Sequence, residues 1–294
     1  MSTSPVAQVR SFNRAVTERV GALETGYLGR GRPLGEARLL WEIGRSGADV
    51  RELRQRLGLD SGYASRLLRS LVAQGLVTVE PAPADRRVRR ARLTNAGRAE
   101  RRALDRLSDE LAASMLEPLD EIERTRLVTA MAEVERLLLA SSITIDAEDP
   151  DSEDARWCIQ QYFGEIGSRF ESGFDPGQSL PLGTADMRPP SGVLLVARRA
   201  EQPLGCGALK LTPGEPAYLK RMWVAPAARG LGLGRRLLRA LEEYARATGA
   251  PGVQLETNRV LSEAIAIYRR SGYAEVEPFN DEPYAHHWFE KRFT

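Results

Sequence analysis

The chain has 294 residues, 42% of them hydrophobic and 28% charged, which is the balance of a globular protein rather than a disordered or fibrous one. At about 150 residues per domain, this length predicts two domains. No stretch reaches the ~18 consecutive apolar residues of a membrane span, and no apolar signal segment opens the chain, so we expect neither membrane contact nor export. The two cysteines, Cys158 and Cys206, lie in no CxxC pair or cysteine–histidine cluster, which argues against a metal site and for a reducing cytoplasm.

The formal net charge of +2 hides an asymmetry between the two halves. Residues 1–140 carry 24 arginines and no lysine against 19 acidic residues, a net charge of +5, whereas residues 141–294 carry a net charge of −3. Helical periodicity ends at Leu139, and an acidic, turn-rich stretch follows over 141–154. We therefore predict two domains, 1–140 and 141–294, of which the basic first domain is better suited to a polyanionic partner.

The first half of the sequence is predicted to be mostly helical with one hairpin. Its elements are, in chain order, helices over 34–43, 49–57 and 60–74, extended segments over 76–80 and 87–93, and long helices over 95–116 and 120–139. Asp49 and Glu52 have the spacing of a capping box, and Asp60 is a second N-cap residue. Gly58 and Gly75 are suited to end the two helices that these acids begin.

The helix over 60–74 has two different faces. Four apolar residues at i, i+3, i+4 and i+7 predict a core-facing stripe, namely Ala64, Leu67, Leu68 and Leu71. The opposite face carries the small, polar and basic residues Ser61, Gly62, Ser65, Arg66 and Arg69. A helix with a small, polar first turn can enter a DNA major groove closely, and its arginines can donate to base edges or phosphates. We therefore predict that these five residues contact double-stranded DNA.

The predicted hairpin after this helix is rich in arginine. Within seven positions it holds Arg86, Arg87, Arg89, Arg90 and Arg92. Guanidinium groups on a projecting arm match the negative potential of a narrow minor groove, so Arg86, Arg87 and Arg89 are predicted to contact DNA. The alternative is a solvated charged face. Helix, tight turn, helix and hairpin together form the pattern of a winged helix-turn-helix.

Residues 34–97 resemble the MarR family of bacterial regulators. The run Asp85-Arg86-Arg87 is similar to the family's wing-tip Asp-x-Arg, and the RLTNAG of residues 92–97 is similar to its RLTxxG exit into a long helix. The family binds palindromic DNA as dimers built from the first helix and the last two, here about 6–28, 95–116 and 120–139. The resemblance therefore implies a homodimer, which also fits two long amphipathic helices that need a surface to pack against.

A glycine-rich loop that opens a helix is the most specific motif of the second half. A predicted strand over 218–225 leads into the loop 226–234, and Leu233, Leu237 and Leu241 mark the buried stripe of the helix that follows. Such a loop lets backbone N–H groups close on a phosphate, and the helix N-terminus adds partial positive charge. The loop has neither the GKS or GKT of a Walker motif nor the G-x-G-x-x-G spacing of a dinucleotide-binding fold. A glycine-rich helix start without a ligand is the alternative.

About residues 143–293 resemble the GNAT acyltransferase family. Arg229, Gly232 and Gly234 match its R/Q-x-x-G-x-G/A loop, and residues 264–273 are similar to its A-x-x-L-Y-x-x-x-G-F segment, with Tyr268 as the motif tyrosine. The two resemblances together imply a fold of two domains. The first is a mainly α winged helix-turn-helix, and the second is an α/β GNAT fold with a mixed central sheet.

The GNAT resemblance implies acetyl-CoA as cosubstrate. Its pyrophosphate is expected on Arg229, Gly230, Leu231, Gly232, Leu233, Gly234 and Arg235, and its pantetheine arm along Met222, Trp223 and Val224 in the manner of an added strand. An uncharged amine attacks the thioester directly, and a backbone N–H near Trp223 or Val224 stabilises the oxyanion. Tyr268 protonates the leaving thiolate or else only packs on its helix. Many members carry asparagine where this chain has Leu261, so Asn258 is a candidate for a moved coenzyme contact.

Glu256, at the end of the predicted strand 253–257, is a candidate general base, with a structural strand-end acid as the alternative. Fold analogy places the following residues at the acceptor site: Tyr162, Arg169, Phe170, Tyr284 and His287. If His286 and His287 both lie on a strand, they point to opposite faces, so at most one faces the site. The mildly acidic second half favours a cationic amine, either a small molecule or a protein amine.

The sequence thus predicts a bifunctional cytoplasmic protein, a dimeric transcriptional regulator fused to an acetyl-CoA-dependent N-acetyltransferase, with no metal. One alternative is a regulator whose second domain senses acetyl-CoA without turnover. Another is an enzyme whose winged helix serves dimerisation alone, against which the arginine-rich hairpin argues. We also hypothesise that acetyl-CoA occupancy changes the affinity for DNA.

Overall fold

The computed structural model describes residues 4–22, 26–82, 87–170 and 173–293. The chain folds into two compact units, residues 1–130 and 131–294. The domain boundary expected after residue 140 stays a prediction. Within the described residues, no helix combines the length and the apolar character that a membrane crossing requires.

The first unit is a winged helix. Its elements are α1 (Pro5–Arg19), α2 (Leu34–Ile43), β1 (Ala48–Asp49), α3 (Val50–Leu57), α4 (Ser61–Ala73), β2 (Val77–Pro81), β3 (Arg89–Leu93) and α5 (Asn95–Leu116), and then α6 (Glu121–Ser141), which belongs to the second unit from Met131 onward. The strands pair antiparallel in the order β1-β3-β2. The five helices predicted from residue 34 onward are confirmed, and the two extended segments form the predicted hairpin.

Local signals account for these elements. Asp49 Oδ1 accepts hydrogen bonds from the N–H groups at the start of α3, and Asp60 Oδ1 accepts one from the N–H of Tyr63. Gly58 ends α3 in the left-handed conformation, with a φ of 61°. The apolar stripe of α4 is buried as predicted, at Ala64, Leu67, Leu68 and Leu71. This stripe anchors α4 and leaves its other face outward.

The first helix is shorter than predicted. α1 ends at Arg19, so the helix expected over about 6–28 is wrong. Gly21 follows with a φ of 64°, in the left-handed region that glycine adopts without strain and that commonly ends a helix. A short 3-10 turn over 27–29 then leads toward α2.

The second unit is a mixed sheet between helices. Its further elements are β4 (Ile143–Ala147), α7 (Glu153–Arg169), β5 (Gly192–Arg199), β6 (Gln202–Lys210), β7 (Ala217–Val224), α8 (Leu233–Ala247), β8 (Gly252–Thr257), α9 (Ser262–Arg270), β9 (Ala274–Val276) and β10 (His287–Arg292). The strand order is β4-β5-β6-β7-β8-β10-β9, antiparallel except for the parallel pair β7–β8. Val193 and Leu195 of β5 pack in the cluster with α8, and Leu194 and Val196 pack in the cluster with α7. The predicted fold class is confirmed.

The strands β7 and β8 separate after a short parallel contact. Ala217 pairs with Val253 and Tyr218 with Gln254. No further pair joins the remainder of β7 to the remainder of β8, all of which the structure describes. The last residues of β7 therefore have an unpaired edge that faces the gap between the two strands.

A β-bulge lies on the opposite edge of β7. Cys206 pairs with Trp223 and Ala208 with Lys220, so two residues of β7 lie opposite one residue of β6. Arg221, in the bulge, has a φ of 55°, which is an unfavourable value for a residue with a side chain. Such irregularities occur at functional sites, where they redirect the strand.

Candidate functional site

A cavity of about 490 Å³ lies beside the C-terminal half of β7. Its wall is formed by residues of α6, α7, β7, the loop after β7, α8 and α9. Twelve predicted site residues lie in it: Met222, Trp223, Val224, Arg229, Gly230, Gly232, Leu233, Gly234, Arg235, Tyr162, Arg169 and Tyr268. Six others do not: Leu231, Asn258, Glu256, Phe170, Tyr284 and His287. The fold therefore gathers the loop, the strand and the motif tyrosine around one space.

The glycine-rich loop turns the N-terminus of α8 into this cavity. Gly230 and Gly232 have φ values of 79° and 73°, which side-chain-bearing residues rarely adopt. Gly232 is the N-cap residue of α8 and offers no side chain to cap the helix. A β-carbon on Gly234 would lie 3.1 Å from Ile267 Cδ1, so the first turn of α8 packs closely on α9. The exposed N–H groups and the helix dipole make this turn suited to an anion.

Arginine dominates the charge of the cavity wall. Five arginines line it, Arg136, Arg169, Arg229, Arg235 and Arg270, against the two acids Glu165 and Glu263. Glu165 Oε2 accepts hydrogen bonds from Arg229 Nη2 at 2.5 Å and from Trp223 Nε1 at 2.8 Å. Arg169 is paired with Glu263 at 2.8 Å. The positive excess favours a ligand with several negative charges.

Two tyrosines of this wall have raised pKa values. Tyr268 Oη on α9 lies 4.0 Å from Met222 Sδ on β7. Burial raises the pKa of Tyr268, and Tyr162 and Glu256 raise it further. Loss of solvent around its phenol likewise raises the pKa of Tyr162, and the charge of Glu256 adds to this shift. Both phenols are therefore protonated at neutral pH and can donate a hydrogen bond or a proton.

Glu256 belongs to a buried polar network beside the cavity. Its carboxylate accepts a hydrogen bond from Asn280 Nδ2 at 3.2 Å and lies 3.5 Å from Lys220 Nζ. Lys220 Nζ also donates to Glu282 Oε2 at 3.1 Å and to the carbonyl of Leu180 at 3.0 Å. Lys220 thus forms ion pairs with two buried carboxylates, those of Glu256 and Glu282. Lys220 was not among the predicted site residues. It lies two positions after Tyr218 on β7, and residues at this spacing on a strand have side chains on the same face of the sheet.

The residues predicted to contact DNA lie on an exposed face of the first unit. Ser61, Gly62, Ser65, Arg66 and Arg69 are all exposed on α4. Arg87 and Arg89 are exposed on the hairpin, while Arg86 lies outside the described residues. The predicted face extends into a groove that also contains Arg51 and Arg54 of α3, which sequence reasoning missed although α3 carries an arginine-rich run.

Two of the hairpin arginines have structural partners. Arg90 Nη2 donates to the carbonyl of Ser46 at 3.3 Å, and Arg92 Nη1 donates to the same carbonyl at 3.4 Å. These bonds hold the loop before β1 against β3. This pair, which was not among the residues predicted to contact DNA, therefore has a structural role.

Comparison with known proteins identifies both halves. Residues 159–273 match the family model described as the acetyltransferase (GNAT) family, and residues 30–88 match the MarR family model. An IAA acetyltransferase of Azospirillum brasilense is 36% identical over 139 residues, which are 47% of this chain and 88% of that protein. The chain belongs to the GNAT acetyltransferase family and carries a MarR-family domain before it.

Further relatives match the same half of the chain. An uncharacterized N-acetyltransferase of Schizosaccharomyces pombe is 30% identical over 152 residues, which are 50% of this chain and 92% of that protein. A putative acyl-CoA N-acyltransferase from Klebsiella pneumoniae, known from a crystal structure, has 27% sequence identity and a TM-score of 0.41. The match covers 51% of this chain and 97% of that protein's chain.

Beside the cavity, the GNAT domain has an aromatic cluster that contains two predicted acceptor residues. Phe170 and Tyr284 have ring centroids 5.8 Å apart, and Phe174 lies 4.8 Å from Tyr284. Tyr284 Oη accepts a hydrogen bond from the N–H of Asp175 at 2.9 Å. The cluster therefore joins the segment after α7 to the loop before β10.

Two other predicted residues of the GNAT domain are engaged elsewhere. His287 Nδ1 lies 2.6 Å from Glu275 Oε1, and its ring stacks on Phe289 within the sheet. β10 begins at His287, so His286 lies just before the strand and the alternation of two adjacent strand residues does not apply to this pair. Asn258 Nδ2 donates to the carbonyl of Tyr284 at 2.8 Å, and its Oδ1 accepts from the N–H of Val260. Its amide thus stabilises the turn after β8.

Proposed function

We propose that this chain is both a DNA-binding transcriptional regulator and an acetyl-CoA-dependent N-acetyltransferase. The observation that carries the enzymatic half is the cavity in which the uncapped N-terminus of α8, an arginine-rich wall and Tyr268 meet. The loop suits the phosphates of CoA, because glycine-opened N–H groups and arginines both favour anions. The unpaired edge of β7 suits the amide-bearing pantetheine arm, which can add to a sheet like a strand. The residues present therefore fit the coenzyme.

The chain's own groups supply proton transfer in the proposed reaction. Acetyl-CoA supplies a thioester whose acyl group passes to an amine, with release of the thiol. Tyr268, which burial keeps protonated, is the proposed proton donor to the leaving sulfur. Glu256 is the proposed base that accepts a proton from the amine, directly or through water. The phenol of Tyr162, which also lines the wall, is a proposed contact of the acceptor.

The proposed enzyme is tested by thiol release from acetyl-CoA with a panel of amines that includes amino acids, polyamines, aminoglycosides and lysine peptides. Amine-dependent release supports the proposal. The second candidate is an acetyl-CoA sensor without turnover. It is favoured by the position of α6, a helix that begins in the first unit and whose Arg136 lines the cavity of the second. CoA binding without turnover of any amine, together with a coenzyme-dependent change in DNA affinity, would support the sensor instead.

Replacing Glu256 with glutamine is expected to lower the rate constant of transfer by about 10²-fold or more, because the amine must lose a proton before it attacks. Affinity for CoA should stay near that of the wild type, since Glu256 is not in the cavity wall. The rate of the variant should recover partly as the pH approaches the pKa of the amine, where free amine no longer requires a base. Glu243→Gln on the exposed face of α8 is the matched control. An unchanged rate at neutral pH would assign Glu256 to structure alone.

We propose that the MarR domain binds duplex DNA through α4 and the hairpin. Replacing both Arg66 and Arg69 with glutamine is expected to weaken binding at least tenfold at physiological salt. The slope of log affinity against log salt should become shallower by about 0.9 for each phosphate that the variant no longer neutralises. Fluorescence anisotropy with a labelled duplex measures both quantities. The double variant Arg239→Gln, Arg259→Gln removes the same charge from the second unit and should bind like the wild type. Equal weakening in both double variants would indicate a general charge effect instead.

A homodimer is proposed from two helices of the described chain whose large apolar residues stay mostly exposed. Neither α1 nor α6 has a buried residue. Val6 and Val9 of α1 are 69% and 57% exposed, and Ile122 of α6 is 72% exposed. Such faces on helices of this length are stable when a second copy covers them. Sedimentation equilibrium of the full chain measures the association directly.

A further inference from the structure

We propose that Arg136 of α6 binds a phosphate group of the acyl-CoA coenzyme. This inference rests on the proposed function of the cavity, and it assigns a coenzyme contact to a helix that precedes the matched GNAT region. Arg136 also lies outside the matched MarR region. Its position follows from the end of α6, which from Met131 onward is part of the second unit.

Arg136 is attached to the glycine-rich loop itself. Its Nη1 donates to the carbonyl of Gly230 at 2.8 Å. It lines the same cavity as Arg229 and Arg235, the two arginines of the loop motif. A guanidinium held at this carbonyl lies next to the backbone N–H groups that open α8. It is therefore at the end of the cavity where negative charge is most favoured.

The guanidinium of Arg136 is oriented by hydrogen bonds to Glu133, and two of its N–H groups have no partner within the described residues. Glu133, one turn earlier on α6, accepts from Nε at 2.9 Å and from Nη2 at 2.5 Å. With the bond to Gly230, three of the five N–H donors of the group are used within the described chain. Its side chain is 41% exposed, so the protein does not enclose the group. A planar fork with two free N–H groups matches phosphate oxygens.

The end of α6 is fastened to α8 by a second arginine. Arg236 Nη2 donates to the carbonyl of Ile143 at 2.7 Å, and its Nη1 donates to the carbonyl of Ala140. These bonds join the C-terminus of α6 and the first residue of β4 to the first turn of α8. Arg136 is thus presented to the loop by a fixed helix and not by a long side chain alone. A pre-oriented cation loses less entropy when it binds a ligand.

Calorimetric binding of CoA to the full chain tests the assignment without reference to turnover. Arg136→Gln is expected to weaken CoA binding about tenfold, the usual size of a charge-assisted hydrogen bond that is partly solvated. Arg136→Lys should recover part of the affinity, because it keeps the charge but loses the fork. Arg239→Gln, on the exposed face of α8, is the matched control and should bind like the wild type. Melting temperatures of the four proteins report whether folding is intact.

Dephospho-CoA, which lacks the ribose 3′-phosphate, distinguishes the two phosphate sources. If Arg136→Gln binds CoA more weakly than the wild type does but binds dephospho-CoA equally well, the contact is to the 3′-phosphate. If Arg136→Gln binds both CoA and dephospho-CoA more weakly than the wild type does, the contact is to the pyrophosphate. Equal affinities of Arg136→Gln and Arg239→Gln for CoA would overturn the inference while leaving the proposed function intact. A wild type that does not bind CoA would overturn the proposed coenzyme, and the inference with it.

Discussion

Replacing Tyr268 with phenylalanine is expected to lower the rate constant of acyl transfer by about 10²- to 10⁴-fold, with the affinity for CoA nearly unchanged. Burial raises the pKa of Tyr268, so the phenol is the protonated form that a proton donor requires. Phenylalanine keeps the ring contacts with Tyr273 and Phe289 and removes only the hydroxyl. The decrease in rate therefore measures the proton donor rather than packing.

Single-turnover thiol release, with an amine that the wild type accepts, measures this effect, and calorimetry with CoA measures the affinity. Because the pKa of Tyr268 is raised above the ordinary tyrosine value of about 10, the hydroxyl stays protonated below that pH. The defect should consequently have the same size from about pH 6 to 9. Tyr244→Phe on α8, outside the cavity wall, is the control. A wild-type rate for Tyr268→Phe would assign this tyrosine to packing.

Replacing Gly97 with alanine is expected to destabilise the MarR domain by about 3 kcal/mol or more. Gly97 lies in the first turn of α5, and a β-carbon there would be 2.0 Å from the carbonyl oxygen of Leu76. Neither backbone can move away easily. Thr94 Oγ1 accepts from the N–H of Gly97 at 3.0 Å, while the N–H of Thr94 donates to the carbonyl of Leu76 at 3.0 Å. The glycine of the RLTxxG motif is thus required by a close backbone approach.

Scanning calorimetry of the full chain measures the stability change, and two binding assays show where it acts. DNA affinity should disappear as the first unit unfolds, while CoA affinity of the second unit persists. Gly164→Ala is the contrasting variant, because it lies within α7 with no atom near its added β-carbon. Alanine there should be neutral or should stabilise by up to about 1 kcal/mol. A Gly97→Ala protein as stable as the wild type would show that the backbone at Leu76, just before β2, yields to the added side chain.

Local chemistry made much of the fold predictable. Asp49 and Asp60 cap helices because a carboxylate beside a free backbone N–H is favourable wherever the chain folds. The stripe of α4 is buried because helical periodicity alone places its four apolar residues on one face. The glycine-rich loop opens α8 for the same kind of reason, since positive φ at Gly230 and Gly232 is a property of those residues.

The failures of sequence reasoning have a different origin. The first helix was extended over 6–28 by resemblance, although Gly21 offers a local end. The structural role of Arg90 and Arg92 was missed, because no local pattern reports that the carbonyl of Ser46 lies beside them. The strand assumed for His286 starts one residue later, and strand ends depend on the register with neighbouring strands.

The sequence by itself determined the helices and the hairpin from residue 34 to the end of α6, two of the helix caps, both family motifs and the residues of the loop, because these depend on neighbours within a few positions. Only the tertiary structure decided three features of the site. These are the separation of β7 from β8, the network of Lys220 with Glu256 and Glu282, and the contact of Arg136 with Gly230. Each joins segments far apart in the chain, through strand register or through a helix end docked on a loop. Such contacts are set by the packing of whole elements, and the residues involved carry no local signal of the partner they will meet.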